Sequence, residues 1–289
     1  MSTQNLNGKV AVITGSSMGV GKAIAQELAA CGVKVVLNGR DEQKLNQAAE
    51  EIRKAGGTVR ICRADIREPN QCQQIINCAI KEYGQFDILV NNAAITSRGS
   101  VEEMAAENFK MLMDTNCIGS AYMCKCAIPE LAKTKGQLIF ISSAAGFRGF
   151  PYNSAYTISK LAQIGLADAL RVEVYDQGIH VGIAYLSFIK NDPEKMILNV
   201  DGSWMYLPER THVKRVTPKY VAGRVCRMIK KRQGHITISG LTKITSLVSR
   251  YMPWFANWYI LKNRRKIERE YSHKVGAKVE DTAIKSKMV

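Results

Sequence analysis

The sequence predicts an α/β protein built on a doubly wound parallel sheet of about seven strands, followed by a basic, aromatic helical extension. Short apolar runs alternate with helical patterns over the first 240 residues, and a glycine-rich turn follows the first run. The runs are continuously apolar, as expected for strands covered by helices on both faces. Strand–helix alternation with right-handed crossovers then gives a parallel, Rossmann-type sheet.

The elements follow one another in a regular order. The predicted strands are Lys9–Thr14, Val33–Asn38, Thr58–Arg63, Phe86–Asn91, Gln137–Ser142, His180–Leu186 and His235–Ser239. Between them, helical periodicity predicts helices at Gly19–Cys31, Asp41–Ala55, 69–83, 101–133 and 154–176. Asp41 stands where it can cap the second helix. Because no repeat or low-complexity linker interrupts this order, we predict one domain over residues 1–240 and an extension over 241–289.

Cysteine and histidine spacing argues against a metal site. The eight Cys contain no Cys-x-x-Cys pair, and the four His show no i, i+4 spacing. The start of the chain does not have the pattern of a signal peptide. We therefore expect reduced thiols, no bound metal and a cytoplasmic location.

The positive charge is concentrated near the C-terminus. The net charge is +16; residues 1–205 hold 21 Lys/Arg and 20 Asp/Glu, whereas residues 206–289 hold 20 and 5. An acidic partner is therefore expected at the C-terminal part of the chain. No nucleic-acid recognition motif accompanies the charge, so we do not predict nucleic-acid binding.

The glycine-rich turn between the first strand and the first helix predicts a dinucleotide site. Glycines let the backbone approach a pyrophosphate, and the following helix presents free N–H groups to the anion. The residues expected at the cofactor are Gly15, Ser17, Met18, Gly19, Val20 and Gly21. After the second strand, Gly39 stands where NAD-binding proteins usually carry an acid, and Arg40 can pair with a 2′-phosphate. NADP(H) is therefore favoured over NAD(H).

Over residues 7–240 the chain resembles the short-chain dehydrogenase/reductase family. The resemblance rests on the turn at 14–21, on Asp65, Asn91-Asn92-Ala93-Ala94, Asn116 and Ile141-Ser142-Ser143, and on Tyr156-x-x-x-Lys160, all in register. It implies that Asp65 and Ile66 border the adenine, that Asn92, Ala93 and Ala94 run beside the nicotinamide ribose, and that Asn116 positions a water that links Lys160 to solvent. It also implies a homo-oligomer, a dimer or tetramer, formed through the helices near 101–133 and 154–176.

The residue types themselves indicate carbonyl reduction. Tyr156 is a weak acid with an ordinary pKa of about 10, and Lys160 lies one helical turn further on. A lysine ammonium about 4 Å from the phenol, at an effective dielectric of ~20, would lower the pKa of Tyr156 toward neutrality. Ser143 can donate a hydrogen bond to the substrate carbonyl oxygen. Tyr156, Lys160 and Ser143 are therefore predicted catalytic residues, and the resemblance adds Asn116 to them. Tyr156 and Lys160 are also expected to contact the cofactor.

One segment departs from the family pattern. The family has Pro-Gly and then Thr after the sixth strand, whereas this chain has Leu186-Ser187, with Ile189 and Asn191 close behind. We expect Ile189 to contact the cofactor through its backbone and Asn191 to stand in for the Thr. Residues 188–216, which include Trp204 and Pro208, correspond to the family's mobile lid over the substrate. An apolar lid indicates a lipophilic substrate, and buried packing is the alternative explanation of the same residues.

The C-terminal segment combines aromatic residues with a basic cluster. Residues 241–261 are interrupted by Lys243, Arg250 and Pro253, so their apolar run is too short to span a bilayer. Aromatic residues beside Lys and Arg are typical of a segment that lies on an anionic membrane surface. A helix that closes the pocket or packs in a dimer is the alternative. Residues 272–289 are predicted to be a disordered polar tail.

The function predicted from these features is NADPH-dependent reduction of a hydrophobic ketone, such as a long-chain keto-lipid. The C-terminus is similar to that of lipid-handling members such as 3-ketodihydrosphingosine reductases. The alternatives are 3-oxoacyl-carrier-protein reduction and hydroxysteroid oxidation. A non-catalytic NADP(H)-binding scaffold at a membrane is the alternative from another functional class.

Overall fold

A computed structural model describes residues 3–190, 192–207 and 215–271 of the chain. Its main sheet holds seven parallel strands in the order β3-β2-β1-β4-β5-β6-β9. These strands are β1 Val10–Ile13, β2 Lys34–Gly39, β3 Val59–Arg63, β4 Ile88–Asn91, β5 Gln137–Ser143, β6 His180–Leu186 and β9 His235–Thr237. A separate hairpin pairs β7 Met196–Leu198 with β8 Trp204–Tyr206. The predicted fold class is confirmed.

Helices cover both faces of the sheet. They are α1 Gly19–Ala30, α2 Glu42–Lys54, α3 Pro69–Tyr83, α4 Ala106–Met113, α5 Gly119–Thr134, α6 Ser154–Glu173 and α7 Pro218–Lys230. The side chain of Asp41 caps α2 by accepting a hydrogen bond from the amide of Lys44 at 3.0 Å. Two clusters of buried apolar side chains fill the spaces between sheet and helices, one of them lined by α1, α2 and α7 and the other by α3, α5 and α6.

The predicted helix at 101–133 is wrong in one respect. The structure divides it into α4 and α5, which are joined by a π-helical turn at Asp114–Ile118. A π turn widens a helix by one residue and re-aims the side chains in it. Here it turns Asn116 into the protein interior, where that residue is fully buried.

The segment predicted as a lid contains ordered structure. The β7–β8 hairpin lies within it, and Ile189 forms a bridge with Val216, the amide of Lys190 donating to the Val216 carbonyl at 2.8 Å. The predictions for Asn191 and Pro208 fall outside the described residues. The polar tail predicted for 272–289 also lies outside them.

Three further helices form the C-terminal extension. They are α8 Gly240–Tyr251, α9 Pro253–Lys262 and α10 Arg264–Tyr271. Ser239 caps α8, its hydroxyl accepting from the amide of Thr242 at 3.2 Å. The presence of the helical extension is confirmed, whereas the domain boundary at residue 240 stays a prediction. In the described part of the chain, none of the helices has the length and apolar character needed to cross a membrane.

Candidate active site

The predicted site residues meet at the carboxyl edge of the sheet. The glycine turn follows β1, Arg40 follows β2, Asn92 follows β4, and Ser143 ends β5. Tyr156 and Lys160 lie in the first two turns of α6. In a doubly wound sheet, ligands bind at this edge, beside the point where the strand order reverses. That point lies here between β1 and β4.

The glycine turn has no room for side chains at two of its positions. Gly15 has a φ of 61°, and a Cβ there would lie 2.7 Å from the Cα of Ala93. A Cβ on Gly21 would overlap the side-chain nitrogen of Asn92 and the carbonyl oxygen of Gly15. Met18, at the N-cap of α1, makes no side-chain hydrogen bond to the helix, and Val20 packs against the core. The Met18 side chain therefore leaves the N-terminal amides of α1 uncapped. A phosphate site at this end of the helix requires such uncapped amides.

Thr14 and Asn92 connect the glycine turn to the end of β4. The Thr14 hydroxyl accepts hydrogen bonds from the amides of Asn92 and Ala93, each at 3.0 Å. The side-chain amide of Asn92 donates to the carbonyls of Thr14 and Gly15, each at 2.9 Å. Asn92 therefore holds the glycine turn in place. Ala93 and Ala94 continue along the same edge.

The end of β2 carries a positive group beside a small residue. The Arg40 side chain is 38% exposed and lies 3.9 Å from the carboxylate of Asp65. Burial lowers the pKa of Arg40, while the charge of Asp65 opposes this effect. A Cβ on Gly39 would lie 3.5 Å from the Ser17 hydroxyl, an ordinary contact. The site therefore has space for a larger residue at position 39 but carries no acid there.

Asp65 is held by a second arginine. The Arg67 guanidinium donates to both carboxylate oxygens of Asp65, at 2.6 to 3.1 Å, and the Arg67 amide donates at 3.0 Å. Burial acts to raise the pKa of Asp65, but the bonds from Arg67 and the charge of Arg40 bring it below its ordinary value. Next to it, Ile66 is buried and its carbonyl accepts from the thiol of Cys72 at 3.1 Å.

Tyr156 and Ser143 form the reactive pair. Their side chains are hydrogen-bonded to each other, and the Ser143 hydroxyl also accepts from the amide of Ala145 at 3.2 Å. Burial raises the pKa of Tyr156, and the bond to Ser143 only partly opposes that effect. The phenol is therefore protonated at neutral pH and can act as a proton donor.

The expected effect of Lys160 on Tyr156 is not what the structure shows. The Lys160 ammonium lies 5.9 Å from the centre of the Tyr156 ring and donates to the Ile141 carbonyl at 3.1 Å and to Gln163 Oε1 at 3.0 Å. Burial, followed by the charge of Lys195, lowers the pKa of Lys160 to about 7. Lys160 is therefore only partly charged near neutrality, and the pKa of Tyr156 is raised rather than lowered.

Asn116 is connected to Lys160 through Gln163. The side chain of Asn116 bonds the Ile95 backbone at 2.8 and 2.9 Å and donates to the Ser159 hydroxyl at 2.8 Å. The backbone carbonyl of Asn116 accepts from Gln163 Nε2 at 3.0 Å. Gln163 therefore links the π turn to Lys160 directly.

An apolar wall borders Tyr156. Leu112, Ala155 and Leu198 are buried together, and Ile95 and Trp204 pack against them with the Tyr156 ring. Leu198 and Trp204 belong to the β7–β8 hairpin, so the segment predicted as a lid shares an apolar cluster with the reactive residue. Ile189 packs against the main core instead.

Sequence reasoning missed Gln163 and Arg67. Gln163 lies three residues after Lys160 and so on the same helix face, which is the one signal that sequence offered. Arg67 follows Asp65 by two residues, a spacing that has no diagnostic value by itself. Across the ranges that the structure describes, no group of three or more His, Cys, Asp or Glu could hold a metal ion.

The chain is similar to known proteins over most of its length. A family model described as short chain dehydrogenase matches residues 9–198. Dehydrogenase/reductase SDR family member 7B of Xenopus laevis is 30% identical over 272 residues, 90% of this chain and 83% of that protein. The 11-beta-hydroxysteroid dehydrogenase-like 4A of Arabidopsis thaliana is 36% identical over 191 residues, 65% of this chain and 64% of that protein.

Two solved structures share the fold. A short chain dehydrogenase/reductase from Burkholderia phymatum, in complex with NAD, has a TM-score of 0.74 at 22% identity and covers 84% of this chain and 93% of its own. A metagenomic short-chain oxidoreductase, in complex with NADP, has a TM-score of 0.67 at 26% identity and covers 81% and 98%.

Proposed function

Because the chain belongs to the short-chain dehydrogenase/reductase family and is an oxidoreductase of alcohol and ketone groups, we propose that it reduces a hydrophobic ketone with NADPH. The observation that carries this proposal is the hydrogen-bonded pair of Tyr156 and Ser143 beside a buried Lys160 and an apolar wall. A protonated phenol next to a hydroxyl donor is what a ketone oxygen needs as it becomes an alkoxide.

The residues of the chain divide the reaction between them. NADPH, when bound, supplies the hydride that reaches the carbonyl carbon. The Ser143 hydroxyl donates a hydrogen bond to the carbonyl oxygen, and Tyr156 gives that oxygen its phenolic proton. Lys160 lies behind the Tyr156 ring and supports return of the proton to the phenolate. The raised pKa of Tyr156 favours reduction, since oxidation of an alcohol needs the deprotonated phenol.

Preference for NADPH is supported by the end of β2. Arg40 can pair with a 2′-phosphate, and no acid at position 39 repels it. Among the similar solved structures one is in complex with NAD and another with NADP, so those structures do not decide the preference. The proposal rests on Gly39 and Arg40.

The identity of the ketone has two main candidates. The apolar wall of Leu112, Leu198 and Trp204 supports a lipophilic substrate such as a long-chain keto-lipid. A steroid ketone is the second candidate, because a relative 36% identical over 191 residues is named as hydroxysteroid dehydrogenase-like. The basic C-terminus keeps 3-oxoacyl-carrier-protein reduction as a third candidate, since a carrier protein is acidic.

The test is NADPH oxidation by the purified protein with a long-chain 3-keto-sphingoid base, a 3-oxoacyl carrier thioester, ketosteroids and a short water-soluble ketone. We expect turnover on at least one of these substrates, reduced about 10²- to 10⁴-fold in Tyr156→Phe because the proton donor is lost. NADPH binding by the variant, followed by fluorescence, should be unchanged. Tight NADPH binding without turnover on any ketone would overturn the proposal in favour of a non-catalytic scaffold.

A further inference from the structure

The C-terminal extension exposes many large apolar side chains. On α8, Leu241, Ile244, Leu247 and Tyr251 recur every three or four residues and are exposed, so they share one face of the helix. On α9, Trp254 and Trp258 are 67% and 51% exposed, with Tyr259 and Leu261 exposed beside them. Contiguous apolar surface of this kind marks an interaction site.

Positive charges border this apolar surface. Residues 240–271 contain seven Lys or Arg and two Glu. The Lys262 ammonium lies 4.9 Å from the centre of the Trp258 ring, and the Arg250 guanidinium lies 5.8 Å from that of Tyr251. Arg264, Arg265 and Lys266 follow in the first turn of α10. Aromatic rings flanked by cations match the polar–apolar boundary of a membrane with anionic headgroups.

The extension lies beside the reactive pair. α8 packs on the short 3₁₀ turn Ala144–Gly146 that directly follows Ser143. The Arg148 guanidinium donates to the Pro253 carbonyl at 3.4 Å and to the side chain of Asn257. Partial burial, with the charge of Glu268 on α10 and a hydrogen bond to it, raises the pKa of Tyr152. The three helices therefore contact the segment 144–152 between Ser143 and Tyr156.

We propose that α8, α9 and α10 dock the protein on an anionic lipid surface next to the catalytic edge, so that a lipophilic ketone enters from the bilayer. The entry step rests on the proposed function, whereas docking does not. A second copy of the chain fits this surface less well, because a symmetric contact would bring like charges together. Docking on lipid places the same charges against headgroups of opposite sign.

Vesicle flotation tests the docking. The full chain is mixed with vesicles of phosphatidylcholine alone and with vesicles in which about a third of the lipid is phosphatidylserine. We expect binding to the second kind only, weakening at roughly 0.5 M salt, where exposed charges are screened. Equal binding to both kinds, or no binding, would contradict the proposal.

Two variants separate the apolar contribution from the charged one. Trp254→Ser with Trp258→Ser removes the largest exposed rings and should abolish flotation. Exchange of Arg264, Arg265 and Lys266 for Gln should weaken binding about a hundredfold, since each of the three cations near the surface contributes about fivefold. The matched control is Tyr175→Ser with Tyr220→Ser, two exposed aromatics outside the extension, at 76% and 47% exposure. The control should float like the unchanged chain.

Activity assays distinguish failure of docking from failure of the proposed function. The tryptophan double variant should reduce a short water-soluble ketone at the unchanged rate, and should lose at least about tenfold in kcat/KM for a ketone presented in anionic vesicles. Intact soluble activity without vesicle binding in the unchanged chain would overturn docking alone. The proposal would also be overturned by a combination of two results. If the unchanged chain does not bind vesicles and the double variant sediments at a lower mass than the unchanged chain, the surface forms a contact between copies.

Discussion

Lys160 lies in surroundings that change its ordinary acid–base chemistry. It is buried, its ammonium bonds Ile141 and Gln163, and its pKa is lowered to about 7. Burial disfavours the charged form of a lysine, and a neighbouring cation adds to the effect. Its charge state therefore changes near neutral pH, where that of an exposed lysine does not.

We predict that a charge introduced at position 163 shifts the pH dependence of the reaction, because Gln163 accepts a hydrogen bond from Lys160. If protonated Lys160 supports turnover, kcat falls as pH rises through about 7 in the unchanged chain. Gln163→Glu places an anion against the ammonium and should move this fall upward by about one pH unit or more. Gln163→Leu, the matched control, should lower kcat without an upward shift. Measuring kcat from about pH 5 to 10 in both variants tests this, and identical pH profiles would contradict it.

Gly39 and Arg40 are predicted to decide the choice of cofactor. A Cβ at position 39 meets Ser17 at an ordinary distance, so Gly39→Asp is tolerated sterically. Its carboxylate should repel a 2′-phosphate and accept from a ribose hydroxyl. We expect the Kd for NADPH to rise at least about tenfold and the Kd for NADH to fall.

The control for this change is Gly39→Ala, which adds the same Cβ without charge. It should leave the ratio of the two dissociation constants near that of the unchanged chain. Equal effects of Asp and Ala, measured by fluorescence titration, would show that position 39 does not read the phosphate.

At the scale of elements, the glycine turn and α1 depend on one close contact. Gly21 leaves just enough space for Asn92 to reach the carbonyls of Thr14 and Gly15. The side chain of Asn92 therefore couples β4 to the turn after β1. The turn and the strand behind it form one structural unit.

We predict that Gly21→Ala breaks this unit. The added Cβ overlaps Asn92, so the free energy of unfolding should fall by about 1–3 kcal/mol and NADPH affinity by at least about tenfold. Gly223→Ala is the control, because Gly223 lies within α7, where an added Cβ would meet only the Glu27 carboxylate at 4.0 Å. It should stabilise the protein by about 0.5–1 kcal/mol through helix propensity. Urea unfolding compares the two, and equal stabilities would contradict the prediction.

At the scale of the whole molecule, α6 carries reactive residues on one side and exposed apolar residues on another. Ile158, Leu161 and Val172 are exposed on it, while Lys160 and Gln163 are buried. An exposed apolar stripe on a long helix is suited to a contact with a second copy. The expected homo-oligomer would use this face.

We predict that Ile158→Lys with Leu161→Lys yields a protein that sediments at the mass of one chain, 32.1 kDa. Two like charges facing their symmetry mates disfavour association. Tyr220→Lys, on α7, is the control and should sediment at the same mass as the unchanged chain. Sedimentation equilibrium decides the matter, and an unchanged chain that already sediments at 32.1 kDa would refute the oligomer.

The sequence by itself determined the features that depend on local pattern. Continuous apolar runs and helical periodicity predicted the seven-stranded parallel sheet, and the glycines at 15 and 21 predicted a tight turn, in which the structure leaves no space for a side chain. The spacing of Tyr156 and Lys160 placed both on one helix face. These features are readable because they depend on residues close in the chain and on a strict period.

Only the tertiary structure decided how distant residues change one another. The π turn that buries Asn116, the bond from Lys160 to Gln163 and the clamp of Arg67 on Asp65 have no periodic signal. The raised pKa of Tyr156 follows from burial, which no spacing reports. The sequence also showed the aromatic and basic composition of α8, α9 and α10, but it did not predict their position beside Ser143. Desolvation and long-range contacts depend on the packed chain, and local pattern does not contain them.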